Sequence, residues 1–263
     1  MAGKSDRKDL LLCIDVGNTQ TVLGIYRARN LLATWRIRSD RDRTADEYGH
    51  LINDLLRGKG FDPSTLIGIC VSCVVPPAIQ ALEKMAHEAF DIKPLVIGPG
   101  IKTGMPIMYD NPREVGADRI ANTVAAFERY RRALIVIDFG TAITFDVVSE
   151  KGEYLGGVIF PGIQISLDAL FLKASKLPRV ELEKPPGVVG RNTITSIQSG
   201  IIHGYVGLVD ALVLKIREEM KVDPHVVATG GFAAFIAEES SVIKEVLPDL
   251  TLEGLRILFD RNM

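Results

Sequence analysis

The chain has 263 residues, enough for one large domain or two ordinary ones, and enough to bury a substantial core. At 47% hydrophobic and 24% charged it has the balance of a soluble globular protein, and 31 Lys plus Arg against 33 Asp plus Glu give no strong field for nucleic acid or membrane. Residues 1–9 are polar and charged, unlike a signal peptide or anchor, and no apolar run is read as long enough to span a bilayer, so the expected location is cytoplasmic.

The first half is expected to open with three strands, Leu10–Val16, Thr21–Tyr26 and Leu31–Ile37. A helix follows from Thr44 to Arg57, with Thr44 and Glu47 spaced as a capping box. Ile67–Val74 reads as a strand, Pro76-Pro77 as the start of a helix running to Phe90, and Pro94–Ile97 as a short strand. Gly98 to Pro112 is a Gly- and Pro-rich loop.

The second half begins with a helix from Arg113 to Arg132, marked by Ile120, Val124 and Phe127 on one stripe. Strands Ala133–Phe139, Ile143–Val148 and Tyr154–Ile159 repeat the three-strand opening, and a helix covers Ile163–Ala174. After a Pro/Gly loop comes the longest helix, Thr195–Met220, then strand His225–Ala228 and helices Phe232–Glu238 and Leu252–Asp260. Each half thus reads as a mixed α/β sheet, with residues 10–112 and 113–263 as the two halves, residues 1–9 as a tail, and the strand order open.

Within this duplication, Asp15-Val16-Gly17-Asn18-Thr19-Gln20-Thr21 recurs 123 residues later as Asp138-Phe139-Gly140-Thr141-Ala142-Ile143-Thr144. Each copy is a polar turn between apolar strands, with an aspartate at the end of the first. Small glycine turns let a backbone approach phosphate, hydroxyls and amides donate to it, and a strand-end carboxylate suits the Mg²⁺ that accompanies it. A lone Asp-x-Gly is an ordinary hairpin turn; two in matching context point to a nucleotide in the cleft between the halves.

Gly116 to Arg119 falls in the first turn of the helix from Arg113, where free amides favour negative charge. Asp118 there is either a dipole partner or a carboxylate able to accept a proton from a hydroxyl, and Arg119 can clamp an anion with two parallel bonds. Thr193 and Thr195 read as helix caps. Gly3-Lys4-Ser5 only imitates the end of a P-loop, and Gly98 to Gly104 fits no nucleotide fingerprint. Cys70 and Cys73 form a CxxC, but on a strand they face opposite ways, and with Cys13 they read as buried structural thiols. The four histidines cluster with no other ligand type.

The stretches "IDVGNTQTVLGIY", "RTADEY", "NPREVGADRIAN", "IDFGTAITFDVV", "GGVIFPGI", "GRNTITSIQSG" and "ATGG" resemble the type III pantothenate kinases of the acetate and sugar kinase/Hsp70/actin superfamily, from Leu10 to Arg261. The resemblance implies duplicated ribonuclease H-like (actin-like ATPase) domains. It implies ATP-dependent phosphorylation of pantothenate to 4′-phosphopantothenate, a homodimer, Mg²⁺ with ATP, and a monovalent cation, K⁺ or NH₄⁺. It also implies that Asp118 is the general base and Asp138 the monovalent-cation ligand. Asp15, Val16, Gly17, Asn18, Thr19, Gln20, Thr21 and Val22, with Thr141, would bind ATP. Tyr109, Gly116, Ala117, Asp118, Arg119 and Thr193 would contact pantothenate. Position 22 is Val where some relatives carry a polar or basic residue, so phosphate binding does not rest on that side chain. The other readings are a different small-molecule kinase of the superfamily and a catalytically silent regulator; the three aspartates 15, 118 and 138 speak for catalysis.

Overall fold

In a computed structural model that describes residues 9–263, the first half forms a five-stranded mixed sheet. The tail expected over residues 1–9, with Gly3-Lys4-Ser5, lies outside the described residues except for Asp9. Leu10–Val16 (β1), Gln20–Arg27 (β2) and Asn30–Arg38 (β3) are antiparallel neighbours; Leu66–Cys73 (β4) runs parallel to β1 and Leu95–Val96 (β5) parallel to β4. The order is β3-β2-β1-β4-β5. β1 and β4 are apolar almost throughout because both their faces are covered.

On one face Leu12, Ile14, Val16, Leu23 and Ile25 pack with Tyr48, Ile52 and Leu56 of α1 (Ala45–Gly58) and with Leu82 and Met85 of α2 (Pro76–Phe90). Thr44 and Glu47 form the expected capping box at the head of α1. The opposite face receives the chain's last helix, Leu250–Asn262. Leu252 lies against Gly24 and Phe259 against Gly68; a Cβ at those glycines would come within 2.8 and 2.2 Å of the two side chains. Bare backbone there lets the helix settle close to the sheet.

The second half repeats the plan. Leu134–Phe139 (β6), Ala142–Val148 (β7), Tyr154–Pro161 (β8), His225–Gly230 (β9) and Glu245–Val246 (β10) form a sheet of order β10-β9-β6-β7-β8. The two-residue β10 is too short to show as a pattern. Ile135, Ile137, Phe139 and Phe145 pack with Ile163 and Leu167 of α4 (Ile163–Lys173), with Tyr205, Val209 and Val213 of α5 (Thr193–Met220), and with Ala233 and Ile236 of α6 (Ala233–Ala237).

Several boundaries moved for physical reasons. The helix expected from Arg113 begins at Ala117 as α3 (Ala117–Tyr130), because Pro112–Glu114 forms a separate 3₁₀ turn capped by Asn111. α5 begins at Thr193, with Asn192 rather than Thr193 or Thr195 as its N-cap; Thr195 reciprocates in a capping box. Contrary to expectation, α5 is long and apolar enough by composition to cross a bilayer. Its apolar stripe Ile201, Tyr205, Val209 and Val213 is buried in the second core, which accounts for that composition.

The chain groups into two compact units, one of residues up to Gly104 with Asp110–Ala125 and Leu250–Met263, the other of Met105–Tyr109 and Ala126–Asp249. A single cut at 112/113 does not describe this grouping. The last helix, α7 (Leu250–Asn262), buries Leu250, Leu252, Leu255, Ile257, Leu258 and Phe259, and so joins the first sheet. The start of α3 follows it: Gly254 sits so close to Ala121 that a Cβ would fall 2.0 Å from its carbonyl oxygen.

Candidate active site

Asp15, the last residue but one of β1, is half-buried, while Asn18, Thr19 and Gln20 beyond it are exposed. The turn is closed by the Gly17 N–H donating to the Gln20 carbonyl at 3.0 Å. From the end of β3, Ser39 closes it a second time. Its N–H donates to the Thr19 carbonyl at 3.0 Å, and its hydroxyl donates to the Gly17 carbonyl at 2.6 Å and lies 2.8 Å from the Thr21 hydroxyl. Thr21 is fully buried and pairs across the hairpin with Val16, whereas the partner of Asp15 is Val22.

The second turn follows a shorter path. Asp138, the last residue but one of β6, is half-buried, with Thr144 and Thr229 as its neighbours on β7 and β9. Gly140 N–H donates to the Ala142 carbonyl, and Gly162 N–H to the Thr141 carbonyl, each at 3.1 Å. Gly230, at φ +93°, approaches so closely that a Cβ would lie 2.6 Å from Asp138 Oδ1. Residues 17–20 intervene between the paired Val16 and Thr21, but only 140–142 between Phe139 and Ile143. The two copies match one for one in sequence and differ by a residue in the hairpin. Thr144 therefore faces the side of Asp138, while Thr21 faces away from Asp15.

Behind Thr144 stands the fully buried Asp146, which accepts from the Thr144 hydroxyl at 3.1 Å and the Tyr154 hydroxyl at 2.8 Å. The Tyr154 ring packs on Tyr109, with centroids 6.3 Å apart. Sequence reasoning named Tyr109 but neither Asp146 nor Tyr154; the alternation Thr144-x-Asp146 on a strand was the available signal.

In the first unit, Gly116 precedes α3 and Ala117 opens it. The Asp118 carboxylate folds back over this start, accepting the Arg119 N–H at 2.8 Å, and a Cβ on Gly116 would lie 2.5 Å from Asp118 Oδ1. Arg119 is 7% exposed. Thr193 is exposed at the first position of α5, beside an open hollow of about 470 Å³ shared with Leu170, Leu177, Ile197 and Ile201. Asp15, the first turn and residues 116–119 belong to one unit; Asp138, Thr141, Tyr109 and Thr193 belong to the other.

Among the described residues no group of three or more His, Cys, Asp or Glu is placed to hold a metal. Asp138 has threonines as its partners on both neighbouring strands and the Gly230 backbone close by, a set of oxygen-bearing residues that fits a monovalent cation. Cys13 and Cys70 are buried and Cys73 half-buried; burial pushes all three thiols up, as expected of structural cysteines.

The chain shares its fold, at low identity, with solved structures of other proteins. A Campylobacter jejuni protein assigned to the Baf family of transcriptional activators aligns over 95% of this chain and 98% of its own, with TM-score 0.60 and 19% identity. A Porphyromonas gingivalis protein assigned as an N-acetylglucosamine kinase aligns over 96% and 99%, with TM-score 0.53 and 15% identity. Sequence relatives are far nearer. The type III pantothenate kinase of Anaeromyxobacter sp. strain Fw109-5 is 58% identical over 96% of this chain and 100% of its own. That of Myxococcus xanthus is 56% identical over 96% and 99%. The family model for type III pantothenate kinase matches residues 11–215. With the fold, the turns and residues 116–119 in place, the chain belongs to the type III pantothenate kinase family.

Proposed function

We infer that this protein transfers the γ-phosphoryl group of ATP to the primary hydroxyl of pantothenate, giving 4′-phosphopantothenate, the first step of coenzyme A biosynthesis. The observation that carries the inference is 58% identity to a type III pantothenate kinase across 96% of the chain, with Asp15, Asp118 and Asp138 all present. The same reading places the enzyme in the cytoplasm.

Phosphoryl transfer asks the protein mainly to position groups and balance charge. The Asp15 turn offers backbone amides and the exposed Asn18 and Thr19 to the phosphates of ATP, and Thr141 adds a hydroxyl. Asp15 is the carboxylate that would help hold Mg²⁺, whose charge eases the build-up on the transferred group. Asp138, with Thr144 and Thr229 beside it, would hold K⁺ or NH₄⁺. Asp118 accepts the proton of the pantothenate hydroxyl; its carboxylate, turned over the start of α3, is oriented there by the Arg119 N–H that it accepts. Arg119 anchors the substrate's anionic end, with Tyr109 and Thr193 as further contacts.

A homodimer belongs to the same proposal. Gly200, Gly204, Gly207 and Leu214 form an exposed stripe along α5, and Leu170, Phe171, Leu172 and Ile194 are exposed nearby in sequence. An apolar, small-residue stripe of this kind suits a second copy of the helix. The test of function is coupled ADP release with and without pantothenate, in K⁺ and in Na⁺. Release that requires pantothenate and is faster in K⁺ is expected. Release independent of pantothenate would mean another acceptor, and none at all a silent relative.

A further inference from the structure

We propose that Ser39 is the positioning residue of the Asp15 turn, and that Thr21 serves this turn through Ser39 rather than by touching ATP.

The argument is a count of protons. Ser39 has one hydroxyl proton, and the Gly17 carbonyl, 2.6 Å away, can only accept it. The 2.8 Å contact between the two hydroxyl oxygens must then be made by the proton of Thr21. Thr21 is left with nothing to donate to a phosphate, which at neutral pH needs donors. Position agrees with the count. Thr21 is fully buried opposite Val16, on the face that packs against α1 and α2, while Asp15 and Val22 share the other face.

Ser39 meanwhile draws two turn carbonyls to itself, Gly17 through its hydroxyl and Thr19 through its N–H. In a trans peptide the carbonyl and the next N–H point in opposite directions. Tying the Gly17 carbonyl to Ser39 therefore aims the Asn18 N–H the other way and keeps a repelling oxygen off the phosphate. The second half shows why the side chain is needed. Its turn is one residue shorter, and there Gly162 holds the Thr141 carbonyl by backbone alone, with no room for a Cβ, which would fall 2.2 Å from that oxygen. The longer turn has an extra residue to fix, and Ser39 supplies the extra bond.

The inference rests on the Asp15 turn being the phosphate loop, and a double-mutant cycle tests it. Ser39→Ala should raise KM for ATP about tenfold and leave KM for pantothenate within about twofold, as loss of one well-placed hydrogen bond would. Ser39→Thr, which keeps the hydroxyl, should restore most of the loss. Thr21→Val should raise KM for ATP in the native background and add nothing in the Ser39→Ala background, since the two act as one unit. Thr21→Ser should resemble the native enzyme. Equal penalties for Thr21→Val in both backgrounds would make Thr21 a direct ligand and overturn the proposal. So would an unchanged KM for ATP in Ser39→Ala, or a parallel rise in both KM values with a lowered Tm, which would mean general loosening. Failure of the underlying reading looks different: Asp15→Asn would then leave KM for ATP unaltered.

Discussion

Asp118 sits in the first turn of α3, and the role proposed for it depends on charge more than shape. Asn at 118 keeps the shape and cannot accept the proton. Asp118→Asn should lower kcat by about 10²–10⁴ and change the affinity for an ATP analogue little, measured by coupled assay and calorimetry. A second titrating residue governs stability instead of chemistry. His225 starts β9 with its ring 4.5 Å from that of Tyr130, and its Nε2 is buried without a hydrogen-bond partner. Burial, then the positive Arg132 and Lys244, lower its pKa against the opposing pull of Glu245. The unfolded chain therefore takes up this proton first as pH falls. Stability is full above the ordinary histidine value near 6.5 and declines as pH drops from there through the lowered folded value. Urea midpoints between pH 7.5 and 5 should show this decline, and His225→Gln should flatten it.

Elements whose signals are local were the legible ones. The Thr44–Glu47 capping box, the proline-led α2 and the paired three-strand openings need only neighbours in sequence, and the structure keeps them. The N-cap of α5 was less legible because Asn192, Thr193 and Thr195 can all cap; only the extended backbone of Asn192 selects it. Ser39 was invisible, since its role depends on hairpin register: a string that repeats evenly as text folds into turns of unequal length. Close helix packing hides in the same way. Gly254→Ala would ordinarily favour a helix by up to about 1 kcal/mol. Here its methyl would meet the Ala121 carbonyl at 2.0 Å, so α7 must shift off α3. A net loss of about 1–3 kcal/mol is expected, visible as a lower denaturant midpoint with the slope unchanged.

At the scale of the molecule, the duplication and the mixed α/β class were readable, whereas the discontinuous grouping was not, because it depends on which sheet each helix covers. The exposed stripe of α5 gives a clean test of assembly. Among the described residues, the backbone of its own helix turn aside, nothing lies within 4 Å of a Cβ at Gly204. Gly204→Glu should therefore fold as well as the native protein, or better by about 0.5–1 kcal/mol, yet run as a monomer by light scattering, against the dimer proposed for the native protein. The return of α7 to the first sheet has a temporal side as well. A ribosome makes β1 through β5 long before residues 250–263, while domains tend to fold in order of synthesis. Until residues 250–262 are made, Leu11, Cys13 and Gly68 wait without the helix that will cover them. Anything that stops synthesis before residue 250 releases a nascent protein whose earliest sheet is still open on one side.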